Sequence, residues 1–262
     1  MLDEIKKELQ NHPWQDTIFY FDTIDSTNTY AKKLALAGAK EGTVVMAGAQ
    51  SGGRGRLGRT FSSPAGMGIY MSVILRPDCL PEELMHLTCA TGVAAGLAVA
   101  LRTGKNPGIK WTNDLVLGKR KLGGILTELS VNPTTRKTDW VVVGIGINCC
   151  QTPKDFPEEI RDMACSLEIK PQDVAGVAAA LIRALSKMRS TLFTEKEAIM
   201  EAFRGRCVTI GQEISILRGD SVTHAKALDV DDDGGLVVAY LDGSRGVVAS
   251  GEVSIRGMYG YL

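Results

Sequence analysis

The chain changes character near residue 204. Before that point, strand-length apolar runs alternate with segments of helical periodicity. After it come only short β-type runs: CVTI, EISIL, THAKALDV, GGLVVAY, GVVAS and EVSIR, divided by turn signals such as Gly219-Asp220 and Asp242-Gly243. This predicts an α/β (α+β) unit over residues 1–204 and a small β-barrel or sandwich over residues 205–262. No internal repeat or low-complexity linker separates them, so the two are expected to pack closely.

Within the first unit the spacing predicts helices over residues 2–10, from a Ser26 or Thr27 cap to Gly38, over Pro81 to Arg102, Pro171 to Phe193 and Thr194 to Arg204. Strands are expected at 17–22, 43–49 and 68–76, the last with alternating character. Four more are expected at IKW (109–111), DLVL (114–117), KLGGILTELS (121–130) and DWVVVGIGIN (139–148). The region from Pro153 to Ser166 reads as loop.

Composition narrows the class of function. Thirty basic residues balance thirty acidic ones, whereas a dedicated DNA binder carries a basic excess. Six cysteines occur without a CxxC spacing, and three histidines without an HxH or HExxH pattern, so no metal ligands are assigned. The N-terminus is charged rather than signal-like. The apolar stretch near Ala90 to Leu101 is too short to span a bilayer and holds Gly92 and Gly96. These features predict a soluble cytoplasmic protein with reduced thiols and no membrane partner.

The segment from Gly53 to Gly58 formally matches GxGxxG. It is not a dinucleotide fingerprint: it runs into Ser62-Ser63-Pro64 instead of a helix, and no acidic residue follows at the required distance. What remains is a glycine-rich loop bearing Arg54, Arg56 and Arg59. Its backbone can approach a ligand closely, and its guanidinium forks suit phosphate or carboxylate. The alternative is a solvated basic loop.

A second constellation is Lys110-Trp111-Thr112-Asn113-Asp114, followed by Lys121-Leu122-Gly123-Gly124. Lys121 at the start of an apolar strand can point into a cleft, or be a plain strand-end cation. Asp114 can serve a site or only a turn. Asn148, ending VVVGIGIN, faces a site or terminates the strand. Taken with the arginine loop, these residues describe a pocket for an anionic ligand.

These pieces, in this order, resemble the biotin–protein ligase family. The matching segments are Ser26-Thr27-Asn28, the Gly53–Gly58 loop, Lys110–Asp114, Lys121–Gly124 and Gly144-Ile145-Gly146-Ile147-Asn148. Thr112 stands where the family pattern usually has proline. The resemblance covers nearly the whole chain. It implies a mixed sheet related to class II aminoacyl-tRNA synthetases, with helices on one side, and an SH3-like C-terminal barrel. The chain starts about where the family's catalytic domain begins, so DNA binding is not implied.

The resemblance further implies that ATP, with Mg²⁺, activates biotin as biotinyl-5′-AMP, and that biotin is then transferred to a lysine of a biotin carboxyl carrier protein. By similarity the ligand contacts are Ser26, Thr27, Asn28, Gln50, Arg54, Gly55, Arg56, Lys121 and Asn148, with Arg56 holding the adenylate and Lys121 bridging the carboxyl oxygen and the α-phosphate. Asp114, Trp111 and Gly124 are supporting residues. Asp114 orients Lys121 or helps hold Mg²⁺, and Trp111 and Phe61 pack around the ligand or in the core. The resemblance allows a homodimer. Two rivals stay open: a lipoate– or octanoate–protein ligase of the same fold, and a non-catalytic module whose loop grips a nucleic-acid backbone.

Overall fold

In the computed structural model the described residues are 1–249 and the backbone of 254–257. The larger unit is a seven-stranded mixed sheet in the order β1-β2-β3-β7-β6-β5-β4. These strands are β1 (Ile18–Ile24), β2 (Val44–Gln50), β3 (Gly68–Leu75), β4 (Gly108–Lys110), β5 (Asp114–Leu117), β6 (Arg120–Val131) and β7 (Thr138–Asn148). Only β1 and β2 pair in parallel; the crossover between them is helix α2 (Thr27–Leu36), and the remaining neighbours are antiparallel.

Helices cover both faces, which corrects the expectation of a one-sided sheet. Helices α1 (Leu2–Glu8), α3 (Leu87–Thr103), α4 (Val174–Thr191) and α5 (Lys196–Arg204) gather on the side of the main core. Helix α2 lies on the other side, over Val45, Ile74, Trp140 and Val142. This explains β3. It is buried along its whole length rather than alternating, because both of its faces are covered.

Other boundaries follow from local chemistry. The Ser26 side chain accepts from the Thr29 N–H and caps α2, and Gly38 takes φ 86° just past the helix end. The helix expected from Pro81 is broken: a 3₁₀ turn at Pro81–Leu84 precedes α3, with buried His86 at the junction. Residues 81–103 are long and apolar enough to cross a membrane by composition, but 72% of an 18-residue apolar window within them is buried inside the protein. Its apolarity is that of a core helix.

The C-terminal sheet is antiparallel in the order β11-β10-β9-β8-β12. Its strands are β8 (Glu213–Arg218), β9 (Ser221–Val230), β10 (Leu236–Tyr240), β11 (Arg245–Val248) and β12 (Ser254–Gly257). Glu252 and Val253 of the expected EVSIR strand lie outside the described residues. CVTI is not a strand of this sheet. Cys207 instead forms a one-residue parallel bridge to Ile109 on the edge of the large sheet, with Ile109 N–H donating to Arg206 O and Val208 N–H to Ile109 O.

Candidate active site

Along β7 the side chains of Val141, Val143, Ile145 and Ile147 enter the main core. The alternate positions therefore face the side of α2, and two of them are glycines, Gly144 and Gly146. A Cβ at Gly144 would fall on the Asn28 amide, and one at Gly146 would lie 2.5 Å from the Phe61 ring. The GIGI pattern thus leaves a floor low enough for other side chains to lie across it. Above it opens a cavity of about 640 Å³, within the range of small-molecule sites.

The first wall is the N-terminus of α2 with the end of β2. Thr27 N–H and Oγ donate to Gln50 Oε1 at 2.8 and 3.1 Å, and Gln50 Nε2 donates to Ser63 Oγ at 2.9 Å. Ser72 Oγ, fully buried on β3, lies 2.8 Å from Thr27 Oγ1 and 2.6 Å from Asn28 Oδ1. Ser26, Thr27 and Asn28 are all buried yet line the cavity.

The second wall is the arginine loop. Arg54 and Thr60 form a bridge, Gly55 N–H donates to Arg59 O at 2.7 Å, and Phe61 N–H donates to Gly53 O at 2.9 Å. The turn at its tip uses left-handed backbone at Leu57 (φ 54°) and Gly58 (φ 72°). This geometry directs Arg54, Arg56 and Arg59 to the cavity. Arg56 Nη1 donates to Asn113 Oδ1 at 3.0 Å, tying the loop across the pocket. Burial lowers the pKa of Arg56, Asp114 opposes that effect and Arg59 adds to it. The group stays cationic at neutral pH all the same.

The third wall is β5 with β6. Lys121 Nζ and Asp114 Oδ1 are 2.7 Å apart, with side chains 33% and 18% exposed, so a partly shielded ion pair faces the ligand space. Asn113 Nδ2 donates to Ile125 O at 3.1 Å and to Asp114 Oδ1 at 3.3 Å, joining Arg56, Asn113, Asp114 and Lys121 in one chain of contacts. Gly124 lets this pair lie close: a Cβ there would be 3.4 Å from Asp114 Oδ1 and 3.5 Å from Lys121 Nζ.

Trp111 lines the cavity and is 4% exposed. Its indole N–H donates to Gly234 O at 2.9 Å and its backbone N–H to Thr209 Oγ1 at 2.8 Å, so the C-terminal unit holds it from behind. The Trp111–Thr112 peptide is cis.

The cavity gathers eleven of the twelve sequence-predicted residues, all but Asn148. Asn148 is buried elsewhere: its Nδ2 donates to Cys165 O at 3.0 Å, its Oδ1 accepts from Gln151 at 3.2 Å, and Leu167 N–H donates to its carbonyl. It ties the end of β7 to the 151–167 segment, the structural one of its two sequence readings.

That segment holds what the sequence reading missed. Ile160 and Met163 line the cavity, held there because Lys121 N–H donates to Met163 O at 2.7 Å and Cys165 N–H to Lys121 O at 2.8 Å. Ser72 was missed as well; a lone hydroxyl inside MSVIL was its only signal.

Comparison with known proteins places nearly the whole chain among relatives of one kind. Residues 20–148 match the Biotin/lipoate A/B protein ligase family, and residues 209–256 match the Biotin protein ligase C terminal domain. The bifunctional ligase/repressor BirA of Bacillus subtilis is 32% identical over 254 residues, which is 94% of this chain and 77% of that protein. The biotin–[acetyl-CoA-carboxylase] ligase of Mycobacterium tuberculosis is 30% identical over 87% of this chain and 85% of its own length. The biotin protein ligase from Aquifex aeolicus, solved in complex with biotin and ATP, superposes with a TM-score of 0.77 at 29% identity, over 92% of this chain and 98% of that one. The chain is a ligase and belongs to the biotin protein ligase family.

Proposed function

We propose that the chain activates biotin with ATP and transfers it to a lysine of a biotin carboxyl carrier protein. One observation carries the reading. Among the described residues lining the cavity are five cations, Arg54, Arg56, Arg59, Lys110 and Lys121, and a single carboxylate, Asp114, which Lys121 already engages. Such a site attracts anions and brings two of them together, which is what joining a carboxylate to a nucleoside triphosphate requires. The ligands bound to the Aquifex aeolicus relative support the choice of biotin and ATP.

The chemistry is direct. A biotin carboxylate oxygen attacks the α-phosphorus of ATP, a C–O–P linkage forms, and the Pα–O bond to pyrophosphate breaks. The adenylate is a mixed anhydride; the carrier lysine amine attacks its carbonyl carbon, an amide forms, and AMP leaves. No enzyme nucleophile is needed. In this reading Lys121 stabilises charge on the α-phosphate beside the carboxyl oxygen, and Asp114 orients Lys121. Arg56 holds the adenylate, with Arg54 and the Gly55 backbone against its phosphate. Ser26, Thr27 and Gln50 supply hydrogen bonds to the biotin head group, Asn28 contacts the ligand, and Phe61 and Trp111 flank it.

Mg²⁺ enters as part of the MgATP substrate. Among the described residues no group of three His, Cys, Asp or Glu side chains is placed to hold a metal, and the one cavity carboxylate is paired with Lys121. That donor set suits an ion ligated mainly by phosphates and water. Residues 1–204 form the catalytic unit in this proposal and 205–262 an SH3-like unit behind Trp111. All six cysteines are free thiols, and a cytoplasmic setting belongs to the same reading. Homodimer formation is checked by sedimentation with and without biotin and ATP.

ATP–pyrophosphate exchange with MgATP and biotin, lipoate, octanoate or no acid tests the reading. Exchange that requires biotin is expected. Exchange with lipoate or octanoate alone would overturn the substrate, and none with any acid from folded protein would overturn the activity.

A further inference from the structure

We propose that Glu128 is a positioning residue for biotin: from just beyond the cavity lining it fixes the Asn28 amide and draws Arg54 toward the site. The inference rests on the biotin-activating reading above.

The placement comes from strand geometry. Side chains alternate along β6, so Gly124, Leu126 and Glu128 share one face. Gly124 and Leu126 line the cavity; Glu128 is the next residue on that face and sits behind the lining. Its two carboxylate oxygens do different work. Oε1 takes Lys32 Nζ of α2 at 2.7 Å and faces Arg54 Nη1 at 3.9 Å, while Oε2 accepts from Asn28 Nδ2 at 3.0 Å.

The effect on Asn28 is strong because an amide has few groups to commit. Its Nδ2 donates to Glu128 and to Leu126 O at 3.3 Å, and its Oδ1 lies 2.6 Å from the buried Ser72 hydroxyl. The side chain is thereby held in one orientation across Gly144, where a Cβ would strike it. Asn28 shapes the floor of the pocket, and Glu128 determines how it lies.

A carboxylate suits this position better than an amide. Burial acts to raise the Glu128 pKa, but hydrogen bonds from Lys32 and Asn28, with the charges of Lys32 and Arg54, outweigh it and hold the carboxyl below its ordinary value. The group is an anion under working conditions. A glutamine could still accept from Asn28 but would leave Lys32 and Arg54 without that countercharge.

The competing account is that Glu128 only neutralises Lys32 for the sake of the fold. Two variants separate the accounts, measured by biotin-dependent ATP–pyrophosphate exchange and by thermal melting. In Glu128→Gln, KM for biotin is expected to rise about tenfold with kcat within about twofold, the size expected when the Asn28 hydrogen bond loses its charged acceptor and Arg54 its countercharge. In Lys32→Met with Glu128→Gln, the uncompensated cation is gone, so the melting temperature recovers while KM stays raised. A KM restored along with stability in the double variant, or an unchanged KM in Glu128→Gln, would overturn the proposal. Failure of the parent protein to show biotin-dependent exchange would overturn the functional reading instead.

Discussion

The arginine loop and the wall it faces are held in place by different means. The loop is a short bridge with two left-handed residues at its tip, Leu57 there is 58% exposed, and side chains such as Arg56, bonded to Asn113, tie it across the cavity. The wall is sheet: Asp114 and Lys121 sit on paired strands whose other face is the main core. Groups that must meet the reacting atoms at fixed distance belong on the rigid side, and groups that must close on a ligand and release it belong on the loop. Damage to the wall should therefore stop the chemistry, and damage to the loop should loosen retention.

The sharpest way to break that contrast is Lys121→Ala. The exchange rate is expected to fall at least about 100-fold with the circular dichroism spectrum intact, as for loss of a donor to developing charge. Normal exchange would remove Lys121 from the chemistry. Gly144→Ala comes next, since the added methyl meets the Asn28 amide. It should cost about 1–3 kcal/mol in urea unfolding and weaken biotin binding by calorimetry; a neutral result would mean the floor can shift. Arg56→Ala should keep exchange within about tenfold of the parent while free adenylate appears in solution by chromatography. Tight adenylate retention by that variant would erase the distinction between loop and wall.

The smallest effect is that of acid. Glu128 has a depressed pKa, so its stabilisation is fully present above its ordinary value of 4.5 and is lost as pH falls through the lower folded-state value. Melting temperatures followed from pH 6 to about pH 3 should fall less steeply in Glu128→Gln than in the parent. Parallel curves would show that the wall is not held by this charge.

The same contrast explains what could be read in advance. Local sequence carries the loop: glycines and arginines crowded into six positions mark it as a candidate anion site without knowledge of the fold, and the fold sets those arginines on the cavity. Ser26 announces its cap, and the apolar runs announce their strands. The misses share a different cause. Ser72, Glu128, Ile160 and Met163 matter because strand register and segment docking bring them to the site, and nothing in their own neighbourhoods marks them. Asn148 is the opposite case: its position at a strand end reads as an opening, and the 151–167 segment folds back over it. CVTI has the composition of a strand, but Cys207 found its one partner, Ile109, on the large sheet.

That last contact bears on how the protein can be cut. Arg206 and Val208 satisfy the backbone of Ile109, Thr209 and Gly234 hold Trp111, and side chains of both units belong to one apolar cluster. Ending the chain at Arg204 would strip those bonds from β4 and bare core beside the ligand pocket. Residues 206–209 and Gly234 are in this respect less part of a detachable module than the keystone of the smaller end of the sheet. Calorimetry of the intact chain should accordingly record one melting transition, with biotin and MgATP raising it as a whole.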